Sequence, residues 1–248
     1  MSAHSLTYAR SVDWNEFDAV LYDLDGVLTP TALVHMRAWQ EMFSRYLADH
    51  DPDQSPYTDE DYFHWVDGKP RYAGVRAFLE SRGIALPEGE PSDLPDALTV
   101  CGLGNSKNQM FESILATEGV EAYPGSRALV ENLAGRGLKQ AVVSSSRNAP
   151  DVLASADLID YFETIVDGVV ASERHLAGKP APDTFLYAAE LVGVRPARCV
   201  VVEDALSGVQ AGRAGRFGLV IGVDRGVGAG RLLEHGATMV VADLEELL

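Results

Sequence analysis

The feature that most constrains this chain lies near its start. Residues 19–24, Ala-Val-Leu-Tyr-Asp-Leu, form a short and almost unbroken apolar run. Such a run is the mark of a central strand in a parallel sheet, because helices cover both of its faces. It leads straight into Asp25-Gly26, a turn signal. Apolar runs of the same kind return only after Gly119, and the pattern predicts strands at 140–144, 164–167, 199–203, 218–223 and 239–241. Helical segments are expected between them, at 126–135, 150–156, 183–192, 205–214 and 228–235. Strand-helix alternation of this kind builds an α/β fold, a parallel sheet with helices on both faces.

The stretch between the first strand and Gly119 reads differently. From Thr31 to Leu47 the apolar residues take helical spacing, with Val34, Ala38, Met42 and Leu47 on one face. Residues 49–61 are acidic and contain two prolines, and 86–98 contain three, so both are expected to be irregular. Short helices are expected at 75–79 and 106–117, and no strand is expected between Thr31 and Gly119. The expected organisation is therefore a core of residues 1–31 and 119–248, interrupted by a mostly helical insert of residues 32–118.

With 248 residues, 46% of them hydrophobic, the chain can bury a sizeable core. Its formal net charge of −17 disfavours nucleic acid and anionic membranes as partners. It also repels phosphate esters at long range, so any phosphate site must create its own positive potential. Cys101 and Cys199 stand in no metal-binding or redox spacing, and two cysteines in a chain of this size suit a reducing cytoplasm. Residues 1–16 are polar, so no signal peptide is expected, and no run of about 18 apolar residues suggests a membrane span.

Ligands of open parallel sheets bind at the carboxyl ends of the strands. Four polar groups fall at such ends or in the loops beside them: Asp23-Leu24-Asp25-Gly26, Ser144-Ser145-Ser146-Arg147-Asn148, Gly178-Lys179-Pro180 and Glu203-Asp204. Each has a plain structural reading: a turn, a helix cap, a solvated lysine, or acids facing a helix dipole. Together they make a chemical set. Asp23 and Asp204 can hold Mg²⁺, a hard cation that prefers oxygen ligands. A carboxylate such as Asp23 can attack phosphorus if a metal and Lys179 neutralise the phosphate charge. Ser144 and the backbone N–H groups after it can hold phosphoryl oxygens. Asp25 can protonate the leaving oxygen and then deprotonate the next nucleophile.

The run Asp23-Leu24-Asp25-Gly26-Val27-Leu28-Thr29 resembles the first motif of the haloacid dehalogenase superfamily. Ser144, Lys179 and Glu203-Asp204 resemble its later motifs, in the same order. The resemblance implies a Rossmann-like core with a helical cap inserted after the first strand. It also implies Mg²⁺ held by the Asp23 carboxylate, the Asp25 backbone carbonyl and Asp204, with Glu203 nearby. A narrower resemblance is to the β-phosphoglucomutase-like subgroup. It rests on Thr31, His35 and Trp39, on Gly68-Lys69-Pro70-Arg71, on Gly104-Asn105-Ser106-Lys107-Asn108 and on Ser146-Arg147-Asn148. Arg147 stands where a lysine is found, and Pro30 where an aspartate is usual.

This resemblance adds His35 and Thr31 to Asp23 and Asp25 as catalytic residues. It places the phosphate grip on Ser144, Ser145, Lys179 and Asn148, and the substrate contacts on Arg71, Lys107, Asn108, Ser146 and Arg147. Trp39 is expected to pack in the cap. The implied activity is isomerisation of a sugar phosphate, β-glucose 1-phosphate to glucose 6-phosphate. Hydrolysis of small phosphate esters is the alternative, and a non-catalytic phosphosugar-binding role ranks below both. The expected partner is a small phosphosugar, and the protein is expected to be a cytoplasmic monomer.

Overall fold

The computed structural model describes residues 11–248. The first ten residues of the expected core, and most of the N-terminal stretch read as lacking a signal peptide, lie outside the described residues. Six parallel strands form one sheet: β1 Ala19–Tyr22, β2 Lys139–Val143, β3 Thr164–Val166, β4 Cys199–Glu203, β5 Leu219–Val223 and β6 Met239–Val241. Their order is β3-β2-β1-β4-β5-β6. β1 is central, with Ala19 opposite both Lys139 and Cys199.

The unbroken apolar character of β1 has its expected cause. Val20 and Tyr22 enter one core cluster with Val142, Val200 and Val202. Ala19 and Leu21 enter the opposite one with Ala141, Val143 and Val201. Each large side chain buried in this way contributes roughly 1.5–3 kcal/mol. The chain order reverses at β1, which has β2 on one side and β4 on the other. That reversal opens a crevice beyond the carboxyl ends of these strands.

Between β1 and β2 run α1 Thr31–His50, the single turn α2 Asp59–Asp61, α3 Arg71–Ser81 and α4 Val100–Glu118. Helices α1, α3 and α4 share a third cluster, built on Trp39, Phe43, Tyr57, Phe78 and Leu103. Helices α5 Pro124–Gly135, α6 Ala149–Ser155, α7 Gly168–Glu173, α8 Asp183–Leu191, α9 Leu206–Ala214 and α10 Ala229–His235 complete the core. No described helix is long and apolar enough to cross a membrane.

Several elements differ from expectation. α3 spans eleven residues rather than five, because Pro70 precedes its first turn and Arg82 closes its last. α4 begins at Val100, six residues before the expected start, with Thr99 accepting a cap hydrogen bond from Gly102 N–H. Gly102 and Gly104 obscured that start. Both are glycine because of close approach: a Cβ on Gly102 would lie 2.2 Å from the Ala97 carbonyl, and one on Gly104 would lie 2.7 Å from Tyr72. α7 lies outside the expected helical segments; Asp167 caps it by accepting from Val169 and Val170 N–H. A π-helical turn at Tyr62–Val66 falls next to the expected loop.

Candidate active site

The carboxyl ends of β1, β2 and β4 face a cavity of about 430 Å³ that the helices of the insert also line. Its walls include Asp23, Asp25, Ser144, Ser145, Glu203 and Asp204 from the core. His35, Arg71, Lys107 and Asn108 enter from the insert, and Ser146 and Arg147 complete the wall after β2. Thus the strand-end residues and the insert residues singled out in the sequence meet around one space. Three of the expected residues, Thr31, Lys179 and Asn148, stand behind the wall rather than in it.

Lys179 is buried and donates to three acceptors: Asp23 Oδ1 and Glu203 Oε1, each at 2.5 Å, and the Val143 carbonyl at 3.0 Å. Burial opposes its charge, but Asp23 and Glu203 outweigh burial and hold its pKa above the usual lysine range. Glu203 is fully enclosed, and its second oxygen accepts from Ala205 N–H at 2.9 Å. α9 can pass this close because residue 208 is glycine; a Cβ there would lie 1.8 Å from the Glu203 carboxylate.

Asp23, Glu203 and Asp204 each offer a carboxylate oxygen, and the three lie within 4.8 Å of one another. Burial raises the Asp204 carboxyl well above the usual range, and Asp67, Glu203 and Asp23 add to the shift. Asp23 is raised too, by burial first, with Lys179 pulling the other way. Clustered hard oxygens with surplus negative charge fit a divalent cation. The Asp25 carboxylate is not part of this cluster. Its Oδ1 accepts from Thr31 Oγ1 at 2.5 Å, and its Oδ2 from Ser144 Oγ at 3.4 Å.

A second group surrounds Asp25. His35 Nε2 lies 3.3 Å from Asp25 Oδ1, within ion-pair range but not aligned as a hydrogen bond. Its Nδ1 meets Lys107 Nζ, and its ring stacks on Phe111 with centroids 4.1 Å apart. Burial works against charge on Asp25, yet His35, the Thr31 hydrogen bond and Lys107 lower its pKa to about 2. Asp25 is therefore a carboxylate in the resting site. Lys107 is itself only 4% exposed, and burial followed by repulsion from Arg71 lowers its pKa to about 7. Burial also lowers that of Arg71. Among the described residues, no carboxylate oxygen lies within 4.0 Å of either cation.

Arg71 donates instead to Asn105 and Asn108, and Asn108 accepts from Asn148 Nδ2 at 3.0 Å. Two more hydrogen bonds join insert and core: Ser145 Oγ to the Gly68 carbonyl at 2.9 Å, and Ser207 Oγ to the Asp67 carbonyl at 3.3 Å. Ser145 thus spends its hydroxyl proton on the insert. Asp67, Tyr62 and Tyr72 also line the cavity and were not singled out in the sequence, and Lys69 of the Gly68–Arg71 segment lines it too. Asp67 beside a glycine reads as a loop residue; burial, then Glu203, raises its pKa to about 7. Trp39 packs in the insert cluster as expected, and it also lines the cavity, 5.2 Å from Lys107 Nζ.

The chain belongs to the haloacid dehalogenase-like hydrolase family, whose profile matches residues 17–216. It is 50% identical over 242 residues to the β-phosphoglucomutases of Mycobacterium bovis and Mycobacterium tuberculosis, across 93% of this chain and 91% of each of theirs. It is 33% identical over 232 residues to the β-phosphoglucomutase of Bacillus subtilis, across 92% and 91%. The crystal structure of a β-phosphoglucomutase from Clostridium difficile superposes with a TM-score of 0.75 over 94% of this chain and 93% of that one; at 24% identity it shows the shared fold. The protein is an enzyme of the phosphomutase or phosphatase type.

Proposed function

We propose that the protein is a Mg²⁺-dependent phosphomutase that converts β-glucose 1-phosphate to glucose 6-phosphate through a phosphoryl group on Asp23. The observation that carries this reading is the pair Arg71 and Lys107. They are basic side chains at the wall of the cavity that also holds Asp23, and among the described residues neither has a carboxylate oxygen within 4.0 Å. A phosphate ester attacked by Asp23 needs one anion grip; a sugar bisphosphate that turns around needs a second. An arginine can bind that second phosphate bidentately.

Mg²⁺, held by Asp23, the Asp25 carbonyl and Asp204 with Glu203 nearby, would neutralise charge on the transferring phosphoryl group. The chain's own residues do the rest. Ser144 and the N–H groups after it hold phosphoryl oxygens, and Lys179 opposes the rise in the Asp23 pKa and holds its carboxylate in place. Residues 32–118 act as a cap that keeps water out.

The resting ionisation of Asp25 sets the order of steps. A carboxylate takes a proton before it gives one. The cycle therefore begins with phosphorylated Asp23. Asp25 removes the proton from the 6-hydroxyl, the oxygen attacks phosphorus, and the bond to Asp23 breaks. The resulting 1,6-bisphosphate turns around. Asp23 then attacks the phosphorus at the 1-position while Asp25 returns its proton to the leaving oxygen. His35, between Asp25 and Lys107, orients the base.

This order means that the enzyme needs priming. Incubated with Mg²⁺, β-glucose 1-phosphate and a trace of glucose 1,6-bisphosphate, the protein should form glucose 6-phosphate, and chelating the metal should stop it. Absence of glucose 6-phosphate above the no-enzyme control overturns the mutase reading. Inorganic phosphate released faster than glucose 6-phosphate assigns the site to hydrolysis instead.

A further inference from the structure

Arg225 follows β5 and lies outside the cavity lining, yet it is held on four sides. Its Nε donates to the Gly26 carbonyl at 2.9 Å, and its Nη1 to the Ala242 carbonyl at 3.1 Å. Its guanidinium meets the Asp243 carboxylate at 3.4 Å and lies 3.9 Å from the centre of the Tyr123 ring.

The contact to Gly26 matters because of what Gly26 is. It has φ +86°, and a Cβ on it would fall 1.9 Å from Asp204 Oδ2. Only glycine fits, and glycine leaves the turn with the most conformational freedom of any residue. Inside the turn, the N–H groups of Val27, Leu28 and Thr29 converge on the Leu24 carbonyl, and Gly26 N–H donates to the Thr29 carbonyl. The Gly26 carbonyl takes its donor from outside, and that donor is Arg225. Asp25 sits just before this point, its carboxylate tied to Thr31 at the far end of the same turn. Slack at Gly26 would therefore shift Asp25 against the side chains of Thr31, Ser144 and His35 that face its carboxylate. The same guanidinium covers Tyr123, whose N–H donates to the Leu28 carbonyl at 3.0 Å. One side chain thus braces both the outgoing and the returning connection of the helical insert.

We propose that Arg225 is a positioning residue: by fixing the Gly26 carbonyl it holds Asp25 where it can exchange a proton with the sugar oxygen. This rests on the acid–base role given to Asp25 above. The test is dependence on the leaving group. Transfer from glucose 1,6-bisphosphate to Asp23 expels a sugar alkoxide that needs a proton from Asp25. Transfer from acetyl phosphate expels acetate, which needs none. Single-turnover phosphorylation of Asp23 is measured with each donor. Arg225→Met should slow transfer from the bisphosphate by about 10–100-fold, since small misplacements of a reacting group have effects of that order. Transfer from acetyl phosphate should change by less than about 3-fold, an effect too small to reflect a misplaced reacting group.

Arg225→Lys keeps one donor for Gly26 and should show the same selectivity with a smaller loss; it carries the test if Arg225→Met lacks a cooperative urea transition. Equal slowing with both donors, or no slowing with either, overturns the role of Arg225. Wild-type protein that accepts phosphate from neither donor overturns the functional reading itself, and this inference with it.

Discussion

Two buried lysines at this site illustrate opposite ways of holding a charge. Lys179 is enclosed but faces Asp23 and Glu203, so its charge is held in place. Removing one partner from such a group leaves uncompensated buried charge, which typically costs about 3–5 kcal/mol. Lys179→Met should therefore lower the urea midpoint strongly as well as abolish turnover; an unchanged midpoint would show that the network contributes nothing to stability. Lys107 is enclosed against aromatic rings, 4.9 Å from the centre of Phe111, and among the described residues no carboxylate contacts it. Its folded pKa of about 7 lies below the ordinary lysine value of 10.5. Between these values the unfolded chain binds more protons than the folded one, so the penalty is full below about pH 7 and fades as pH rises toward 10.5. Lys107→Met should thus raise the urea midpoint at pH 6, with an advantage that shrinks from pH 7 upward. The same substitution should weaken phosphosugar binding, measured by calorimetry. A midpoint difference that does not vary with pH would refute the assignment.

At the scale of elements, the site depends on how closely a helix can follow the strand before it. α9 starts three residues after β4 ends, and its Gly208 faces the Glu203 carboxylate. Gly208→Ala would place a methyl 1.8 Å from a buried carboxylate. Glu203 must then move and loosen its hold on Lys179. A loss of about 2–4 kcal/mol in urea is expected, in the range of overpacked cores that also disturb a buried ion pair, and kcat should fall with it. β1 and β4 were legible because a buried parallel strand must be apolar throughout, and the acids that end them are adjacent in sequence. The start of α4 was hidden because Gly102 and Gly104 weaken helical propensity locally, while the reason for them, contact with Ala97 and Tyr72, exists only in three dimensions. Asp67 and Arg225 were invisible on the same ground. Each lies in a loop with ordinary turn composition, and each gains its place by packing against residues more than a hundred positions away.

Across the whole molecule, the proposed mechanism leaves two ways for a phosphoryl group to leave Asp23: to a sugar hydroxyl or to water. Three side-chain hydrogen bonds tie the insert to the core beside the cavity, through Asn148, Ser145 and Ser207. Beyond them runs one further chain of contacts, from Lys107 on α4 through His35 on α1 to Asp25 after β1. On the proposed mechanism it joins Lys107, facing a distal phosphate, to Asp25, the base for the attacking hydroxyl. With a phosphosugar bound, the anion supports the charge of Lys107, and His35 holds the base toward the sugar. With water alone, no bound anion supports the charge of Lys107, and the base has no sugar hydroxyl in register. The coupling should therefore favour transfer over hydrolysis. His35→Gln removes the ring between the two groups while leaving Asp23, Lys179 and the acidic cluster untouched. Loss of an oriented acid–base group typically lowers a rate by about 10²–10⁴-fold. We expect transfer from phosphorylated Asp23 to β-glucose 1-phosphate to fall toward the lower end of that range. Hydrolysis of the same phosphoenzyme should change only a few-fold on that scale, since it does not use the coupling. Both rates can be read from the decay of radiolabelled phosphoenzyme with and without the sugar phosphate. If the two fall together, His35 supports Asp25 in general, and discrimination against water must come from cap closure alone.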